Sequence, residues 1–267
     1  MDLNPYQSNF PMHTAKIAKL IQENYRIKTF ELVAKISSYP GQFIMIWLPR
    51  MGERPMSLGG GNPVTFTIAA IGKFSEAMHQ LKEGDPVSFR GPLGTHFMLP
   101  EKAKTIAVVG GGYGVVPMAY LAKEAKKKSI RSIAVIGSRT EKDVIFENHF
   151  KEFGEVHVTT DDGSYGRKGN VMAALEELIT HHRFDAVYAC GPEMMMYNVA
   201  RFAQKNKIPS QVSVERYMKC GINICGACDI NGKTTCNDGP IFTGEQALQF
   251  SEFGKTHRDA CGIKQSF

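Results

Sequence analysis

Four cysteines toward the C-terminal end of this 267-residue sequence have the spacing of a metal centre. Cys220, Cys225 and Cys228 form a C-x4-C-x2-C pattern, and seven residues separate Cys228 from Cys236. Zinc sites usually combine paired C-x-x-C clusters, whereas C-x4-C-x2-C with a later cysteine is typical of plant-type [2Fe–2S] centres. The spacing therefore favours an iron–sulfur cluster, with a zinc site as the alternative.

The short gap before the fourth cysteine can close through a hairpin. Asp229 to Thr234 has the pattern of two short strands around an Asn-Gly turn of type I′. Pairing across that turn would return Cys236 to a position beside Cys228. No histidine stands at C-x-H spacing, which excludes a Rieske centre, and Cys261 falls outside the ligand pattern.

A glycine-rich run from Gly110 to Gly114 lies between an apolar segment and a helix-forming one, and continues to Pro117 as G-x-G-x-x-P. Glycines there let backbone N–H groups approach a pyrophosphate, whose charge the N-terminus of the helix stabilises. A tight turn without a ligand is the alternative, because the usual acidic ribose ligand about 20 residues on is missing.

Two further motifs have possible roles in binding. Cys190-Gly191-Pro192 ends a later apolar segment, where ligands gather in open α/β sheets, although a cysteine is also often a small buried hydrophobe. Arg54-Pro55-Met56-Ser57 follows an apolar strand, and its arginine could bind a phosphate or lie against a flavin. From these residues alone, a surface turn is the preferred interpretation of the second motif.

The elements that would position these residues fall into three segments, predicted as residues 1–100, 101–214 and 215–267. The first has short β-rich runs separated by glycine and proline turns, which predicts an antiparallel barrel or sandwich. Its runs include Gln42 to Leu48, Val64 to Ile71 and Pro86 to Arg90.

In the second segment, apolar runs alternate with helix-forming stretches, as in a parallel sheet with crossover helices. The runs are Thr105 to Val109, Ser132 to Ile136, Glu155 to Thr159 and Asp185 to Cys190, with helices from about Val116, near Glu141, over Val171 to His181 and from Glu193. From Glu215 onward no helix or strand period persists, so a metal centre is expected to supply much of the order.

Composition excludes several classes of protein. Hydrophobic residues make up 43% and charged residues 22% of the chain, which is typical of a globular protein rather than a disordered one. The net charge of +6 is mild, and the basic run from Lys123 to Lys128 fits a solvated helix face, so no nucleic-acid partner is expected. No apolar stretch is long enough to span a membrane and no signal peptide is evident, which predicts a cytoplasmic protein.

The order of the motifs resembles that of the ferredoxin reductase superfamily, and most closely that of dihydroorotate dehydrogenase electron transfer subunits. The order is R-P-x-S, Gly91-Pro92-Leu93-Gly94, G-x-G-x-x-P, C-G-P and then the cysteine loop. The resemblance covers nearly the whole chain. Its most specific stretches are Glu215 to Cys228 and Cys236 to Phe242.

This resemblance implies an FAD-binding β-barrel domain, an NAD(P)-binding α/β domain and a C-terminal [2Fe–2S] segment. The implied FAD contacts are Arg54, Pro55, Met56, Ser57, Thr67, Ile68, Gly72, Lys73 and Ser75. The implied nicotinamide-nucleotide contacts are Gly111, Gly112, Gly114, Gly191 and Pro192, with Cys190 as the catalytic residue near the ring that accepts hydride. The implied cluster ligands are Cys220, Cys225, Cys228 and Cys236.

One departure concerns the segment that faces the FAD phosphates, which usually reads G-K-G-T. Here it is Gly72-Lys73-Phe74-Ser75, so a bulky ring stands where backbone access is expected. FAD is expected to bind if Phe74 points outward.

The implied function is electron transfer in pyrimidine biosynthesis. A flavin-containing catalytic subunit would oxidise dihydroorotate, and electrons would reach NAD through the [2Fe–2S] centre and FAD, in a heterotetramer of two copies of each subunit. The alternative is a gamma-type subunit of a cytosolic sulfhydrogenase or another NAD(P)H-linked oxidoreductase. The sequence leaves NADP open, because Arg139, Arg167 and Lys168 could meet a 2′-phosphate while Asp161 and Asp162 could repel one.

Overall fold

The computed structural model describes residues 11–266, which begin with a closed six-stranded antiparallel barrel. Its strands are β1 (His13–Asn24), β2 (Ile27–Leu32), β3 (Phe43–Leu48), β4 (Gly52–Gly61), β5 (Val64–Ala69) and β6 (Pro86–Leu93), in the order β1-β2-β5-β4-β3-β6. Helix α1 (Lys73–Gln80) connects β5 to β6. The predicted barrel is therefore confirmed.

Alternating side chains fill the interior of this barrel. Phe30 on β2 and Phe66 on β5 face each other across the pairing register, with ring centroids 5.2 Å apart and nearly parallel planes. Both are fully buried, and each contributes about 1.5–3 kcal/mol through removal of its ring from water. Thr29 and Thr67 form the neighbouring pair, and their hydroxyl oxygens lie 2.7 Å apart.

The second part of the chain is the predicted parallel sheet with crossover helices. Its strands are β7 (Thr105–Gly111), β8 (Arg131–Ser138), β9 (Gly154–Thr160), β10 (Arg167–Lys168), β11 (Ala186–Cys190) and β12 (Ser210–Ser213). The helices are α2 (Val115–Lys127), α3 (Glu147–Phe153), α4 (Val171–His181) and α5 (Glu193–Lys205). The helix expected near Glu141 begins later, because a single 3-10 turn at Glu141–Asp143 precedes α3.

Two apolar layers cover this sheet. Val109, Leu175 and Val199 belong to the layer on one face, while Val108 and Leu121 belong to the layer on the other. Strands that are buried on both faces have continuous apolar runs in sequence. The strands of this sheet could therefore be predicted from such runs, although their residues do not alternate between apolar and polar. The parallel strands therefore end together at one edge, where the glycine-rich turn and the C-G-P motif lie.

The C-terminal segment contains more regular structure than the sequence predicts. Its elements are β13 (Asp229–Ile230), β14 (Lys233–Thr234), β15 (Ile241–Thr243), α6 (Gly244–Gln249), β16 (Thr256–Arg258) and β17 (Lys264–Ser266). Besides the predicted hairpin of β13 and β14, the segment therefore contains one helix and three strands that the sequence did not predict. Strand β15 pairs antiparallel with β12 and extends the sheet to the order β10-β9-β8-β7-β11-β12-β15. These strands and this helix are too short for a periodic pattern of apolar residues to be recognised in the sequence.

The division into domains at residues 100 and 214 stays a prediction. The last barrel strand ends at Leu93 and the first sheet strand begins at Thr105, while β15 joins the third segment to the sheet of the second. Among the residues that the structure describes, no helix is both long and apolar enough to cross a membrane.

Candidate functional site

The cysteine loop folds so that backbone N–H groups point at sulfur atoms. The N–H of Asn223 donates to Sγ of Cys236 at 3.3 Å, and the N–H of Ile224 donates to Sγ of Cys220 at 3.4 Å. The N–H of Cys236 in turn donates to Sγ of Cys228 at 3.4 Å. Hydrogen bonds of this kind stabilise thiolates and tune the potential of a bound iron–sulfur cluster.

The predicted hairpin between the third and fourth cysteines is confirmed. Strands β13 and β14 pair antiparallel, and both central turn residues have positive φ, 51° for Asn231 and 78° for Gly232, as a type I′ turn requires. The carbonyl of Cys228 then accepts the N–H of Thr235 at 3.1 Å. The hairpin thereby returns Cys236 to Cys228, as the sequence predicts.

The four thiols lie in two hydrogen-bonded pairs, Cys220 with Cys225 and Cys228 with Cys236. A [2Fe–2S] cluster takes two thiolates on each of its two irons, whereas a structural zinc ion takes all four ligands on one centre. Two cysteine pairs therefore fit a two-iron cluster.

The surroundings of the two pairs differ. Partial burial opposes ionisation of Cys220, but hydrogen bonds from the N–H groups of Ile222, Ile224 and Cys225 outweigh it and lower the Cys220 pKa to about 7. Burial raises the pKa of Cys236 to about 12. Cys225 is exposed whereas Cys228 is buried, so one pair faces solvent and the other faces the protein.

The buried side of the loop packs directly on the barrel. Met218, Cys228 and Cys236 share an apolar cluster with Met45 of β3 and Leu93 of β6. On the outer side, Ile224 has 78% of its surface exposed. The cysteine loop is thus anchored to the barrel and open on the face turned away from it.

A cleft of about 500 Å³ lies between barrel and sheet at the predicted nucleotide site. Of the residues expected to bind the nicotinamide nucleotide, Gly111, Gly112, Gly191 and Pro192 line it. They meet there because β7 and β11 are adjacent parallel strands that end at the same edge.

Gly114 and Cys190 lie directly behind this lining. A Cβ atom on Gly114 would lie 2.4 Å from the carbonyl oxygen of Cys190, so only glycine permits the two turns to pack this closely. The Cys190 thiol is hydrogen bonded to the hydroxyl of Ser213, and burial raises its pKa to about 12. Cys190 is therefore a neutral thiol next to the cleft.

Several lining residues of the cleft were not found by sequence reasoning. They are Arg26, Ile27, Tyr113, Gly137, Ser138, Asp143, Thr159, Asn170, Val171, Met195 and Glu215. The barrel contributes Arg26, whose Nη2 lies 3.3 Å from Oδ1 of Asp143. Outside the lining, the hydroxyl of the neighbouring Tyr25 donates to the same oxygen at 3.1 Å. No motif marks these residues, because barrel and sheet meet only in the tertiary structure.

Glu215 is the most notable of the missed residues. Desolvation and, to a smaller extent, the carboxylate of Glu193 raise its pKa, although its side chain is exposed toward the cleft. The charge of Glu215 is the largest cause that raises the pKa of Tyr113. Glu215 could have been found from the sequence by its position two residues after β12, because ligand sites gather beyond the ends of strands.

The predicted flavin segment belongs to a strand rather than a surface turn. Arg54, Pro55 and Met56 are half-buried within β4, and Ser57 is exposed. The surface-turn interpretation is therefore wrong. Thr67 and Ile68 lie on the adjacent strand β5, where the Ile68 side chain is buried in the barrel, so only its backbone can face a ligand.

The phosphate segment differs from the expectation in one respect. Phe74 does not point outward, because its ring is buried in the barrel core, while Gly72 and Lys73 remain exposed. The ring therefore leaves the backbone of the segment accessible. Oγ of Ser75 accepts the N–H groups of Ile71 at 2.9 Å and Gly72 at 3.0 Å, so this hydroxyl shapes the turn.

Arg54 and Phe74 connect the two parts of this predicted site. The guanidinium carbon of Arg54 lies 5.6 Å from the centre of the Phe74 ring, within the range of a cation–π contact. Nη1 of Arg54 also donates to the carbonyl of Glu53 at 2.7 Å. The arginine is thus held beside α1, and its role as an FAD contact stays a prediction.

A closed barrel, a parallel sheet with a nucleotide cleft and a four-cysteine loop define a ferredoxin reductase-like oxidoreductase. Residues 108–201 match the model of the oxidoreductase NAD-binding domain, and residues 215–248 match that of the iron–sulfur cluster binding domain of dihydroorotate dehydrogenase B. The chain belongs to the family of dihydroorotate dehydrogenase B electron transfer subunits.

Family membership rests on similarity over most of the chain. A probable dihydroorotate dehydrogenase B (NAD(+)) electron transfer subunit of Methanocaldococcus jannaschii is 41% identical over 251 residues, covering 93% of this chain and 96% of that protein. The Pyrococcus furiosus counterpart is 42% identical over 237 residues, covering 88% and 92%. A solved chain of the NADH-dependent reduced ferredoxin-NADP oxidoreductase, from work on flavin-based electron bifurcation, has a TM-score of 0.79 at 30% identity, covering 86% and 88%.

Proposed function

We propose that this chain is the electron transfer subunit of an NAD-linked dihydroorotate dehydrogenase and carries electrons from a dihydroorotate-oxidising partner subunit to NAD. The reaction belongs to pyrimidine biosynthesis. The observation that carries the proposal is the pairing of four cysteines in a loop that packs on the barrel, in a chain whose relatives are named for this activity.

The arrangement supports three proposed cofactor sites. When bound, FAD exchanges a hydride with nicotinamide and also passes single electrons, which an iron–sulfur cluster accepts one at a time. The two cysteine pairs would hold the cluster. The barrel positions Arg54, Pro55, Met56, Ser57, Thr67 and Ile68 would hold the flavin, with Gly72, Lys73 and Ser75 toward its phosphates.

The cleft would bind NAD. Gly111, Gly112, Gly191 and Pro192 line it, and the neutral thiol of Cys190 lies behind them as the proposed catalytic residue. Arg139 and Asp161 also line the cleft, whereas Arg167 is paired with Glu177. The carboxylate of Asp161 would repel a 2′-phosphate and the guanidinium of Arg139 would attract one, so the choice of NAD rests on the relatives, which are named for NAD(+). Dye reduction with NADH and with NADPH at equal concentrations tests this preference.

Reconstitution with the partner tests the main proposal. The isolated chain is expected to reduce a dye with NADH but not to oxidise dihydroorotate. Adding the flavin-containing catalytic subunit should create dihydroorotate:NAD activity, measured as NADH formation. Sizing of the mixture tests the further proposal of a heterotetramer with two copies of each subunit. An isolated chain that oxidises dihydroorotate by itself would contradict the assigned role.

Cysteine variants test the cluster site independently of the partner. Anaerobically purified protein should contain one FAD and one [2Fe–2S] cluster per chain, by flavin absorbance and by iron and acid-labile sulfide analysis. Cys225→Ser should abolish the cluster and coupled activity while FAD is retained, and Cys261→Ser should preserve both. Stoichiometric zinc without sulfide in the wild-type protein would overturn the assignment.

A gamma-type sulfhydrogenase subunit is not favoured, because the iron–sulfur segment matches the dihydroorotate dehydrogenase B model over residues 215–248. The division into three domains and the cytoplasmic location remain proposals based on the sequence. Fractionation of cells and detection of the native chain would test the location.

A further inference from the structure

Strand β4 carries the predicted FAD contacts Arg54 to Ser57 and is called the flavin strand here. A bidentate ion pair lies between this strand and the cysteine loop. Nε and Nη2 of Arg90 on β6 donate to the two carboxylate oxygens of Glu53 on β4, at 2.6 and 2.7 Å. Arg90 is 9% exposed, so this is a charged pair largely withdrawn from water. Such a fork-to-fork contact fixes both side chains in one geometry.

The same guanidinium reaches the cysteine loop. Nη2 of Arg90 also donates to the backbone carbonyl of Cys220, the first of the proposed cluster ligands. Glu53 immediately precedes Arg54 in β4, and its own carbonyl accepts a hydrogen bond from Arg54 at 2.7 Å. A short chain of contacts therefore runs from the flavin strand through Glu53 and Arg90 to a cluster ligand.

We propose that Glu53 and Arg90 form a positioning and charge-balancing pair for the [2Fe–2S] site. Arg90 fixes the backbone of Cys220 against the barrel, and Glu53 both orients Arg90 and offsets its positive charge. The inference rests on the proposed function, since it takes the cysteine loop as the cluster site.

The physical basis is the dependence of reduction on nearby charge. Reduction adds one electron to a cluster, so a neighbouring positive charge favours the reduced form and a negative charge disfavours it. Net charge and hydrogen bonding around the cluster set its potential, and both effects are strong where water is excluded. In the wild-type protein the opposite charges of Glu53 and Arg90 largely cancel.

Three charge variants separate this role from a merely structural one. Glu53→Gln leaves a net positive charge, so the cluster midpoint potential should shift upward. Arg90→Gln leaves the carboxylate, so the potential should shift downward. The double variant carries neither charge and should return close to the wild-type potential. Each protein is poised with dithionite at defined potentials and followed by the electron paramagnetic resonance signal of the reduced cluster.

The matched control is Glu177→Gln, which removes the same charge from an exposed ion pair with Arg167 on the sheet. It should leave the potential unchanged. Arg90→Lys keeps the charge but loses the fork, so it should hold the potential near the wild-type value while losing iron to a chelator faster than the wild-type protein does. Faster iron loss at an unchanged potential would show the positioning role of Arg90 separately from its charge-balancing role.

The proposal would be overturned if both single variants kept the wild-type midpoint potential. It would also be overturned if both variants shifted the potential in the same direction and the double variant did not restore it. If Arg90→Gln does not retain its cluster, Glu53→Gln decides alone, and an unshifted potential there overturns the charge-balancing role. A wild-type protein without cluster signals would instead contradict the proposed function.

Discussion

The environment of Arg54 differs from the surface turn that its local sequence favours. In sequence, Arg54 precedes a glycine run and could belong to an exposed turn. In the structure it lies half-buried on β4, against the ring of Phe74 from α1. A guanidinium held on an aromatic face is already oriented, so it loses little rotamer freedom when it binds an anion or a flavin.

Arg54→Ala is expected to weaken FAD binding and leave the cluster intact. Loss of a hydrogen bond to a charged group costs about 1.5–3 kcal/mol, which corresponds to roughly ten- to a hundredfold in affinity. Flavin release on dilution, followed by fluorescence, measures the change. Arg201→Ala is the control, because Arg201 makes a similar contact over Tyr197 on α5. Equal FAD affinity in the Arg54 variant and the wild type would leave Arg54 without a flavin role.

The half-buried residue Cys190 gives a prediction that depends on pH. Because its pKa is raised to about 12, only about one thiol in ten thousand is ionised near pH 8, and alkylation requires the thiolate. Iodoacetamide should therefore modify Cys190 slowly near pH 8 and faster as the pH rises toward 12. The exposed Cys261 serves as an internal control in peptide mass spectrometry. Rapid labelling of Cys190 at neutral pH would refute a neutral thiol.

At the scale of elements, the hairpin of β13 and β14 completes the cysteine loop. Two strands of two residues each have little stability of their own, so the turn geometry and the Asp238 carboxylate hold them together. That carboxylate accepts the N–H of Thr234 at 2.7 Å and its hydroxyl at 3.0 Å. The position of Cys236 therefore depends on the turn.

Gly232→Ala should strain this turn and make the cluster more labile. Gly232 has φ of 78°, and a left-handed conformation costs a non-glycine residue about 1–2 kcal/mol. The rate of iron loss to a chelator should rise. Gly262→Ala is a matched control, since φ is 83° there and both sites have open space for a Cβ atom. Equal rates of iron loss in the two variants would show that strain in the hairpin does not reach the cluster.

At the scale of the whole molecule, a buried ion pair connects the sheet to the C-terminal segment. Arg216 contacts Glu193 in the first turn of α5 with Nη1 at 2.5 Å and Nη2 at 3.2 Å, and their side chains are 1% and 3% exposed. The Glu193 carboxylate also accepts the N–H of Gly254 at 2.9 Å. One charged pair thus joins the helix that follows the C-G-P turn, the segment that leads to the cysteine loop and the turn before β16.

Arg216→Ala is expected to destabilise the protein by about 3–5 kcal/mol, because it leaves Glu193 buried without its partner. Thermal unfolding should show a clear loss in Tm. Arg167→Ala removes an arginine from the exposed pair with Glu177 and should cost only about 0–1 kcal/mol. Similar Tm values for the two variants would mean that the buried pair does not stabilise the junction.

Local patterns in the sequence determined the classes of structure and the position and closure of the cysteine loop. Apolar runs and glycine punctuation predicted the barrel and the parallel sheet, and the helix over Val171 to His181 was predicted with its observed bounds. The cysteine spacing and the Asn-Gly turn predicted the cluster loop and its closure. These features depend on neighbours in sequence, since turn type and strand or helix period are local properties.

Only the tertiary structure decided which distant residues meet. The pairing of β15 with β12, the contacts of Tyr25 and Arg26 with Asp143, and the contact of Arg90 with Cys220 all join parts of the chain that no local pattern connects. The physical reason is that burial and ion pairing depend on distance in space. The sequence therefore indicated the cysteine loop and the glycine turns. The packing of the barrel against the sheet formed the cleft, and the packing of the cysteine loop on the barrel placed Arg90 beside Cys220.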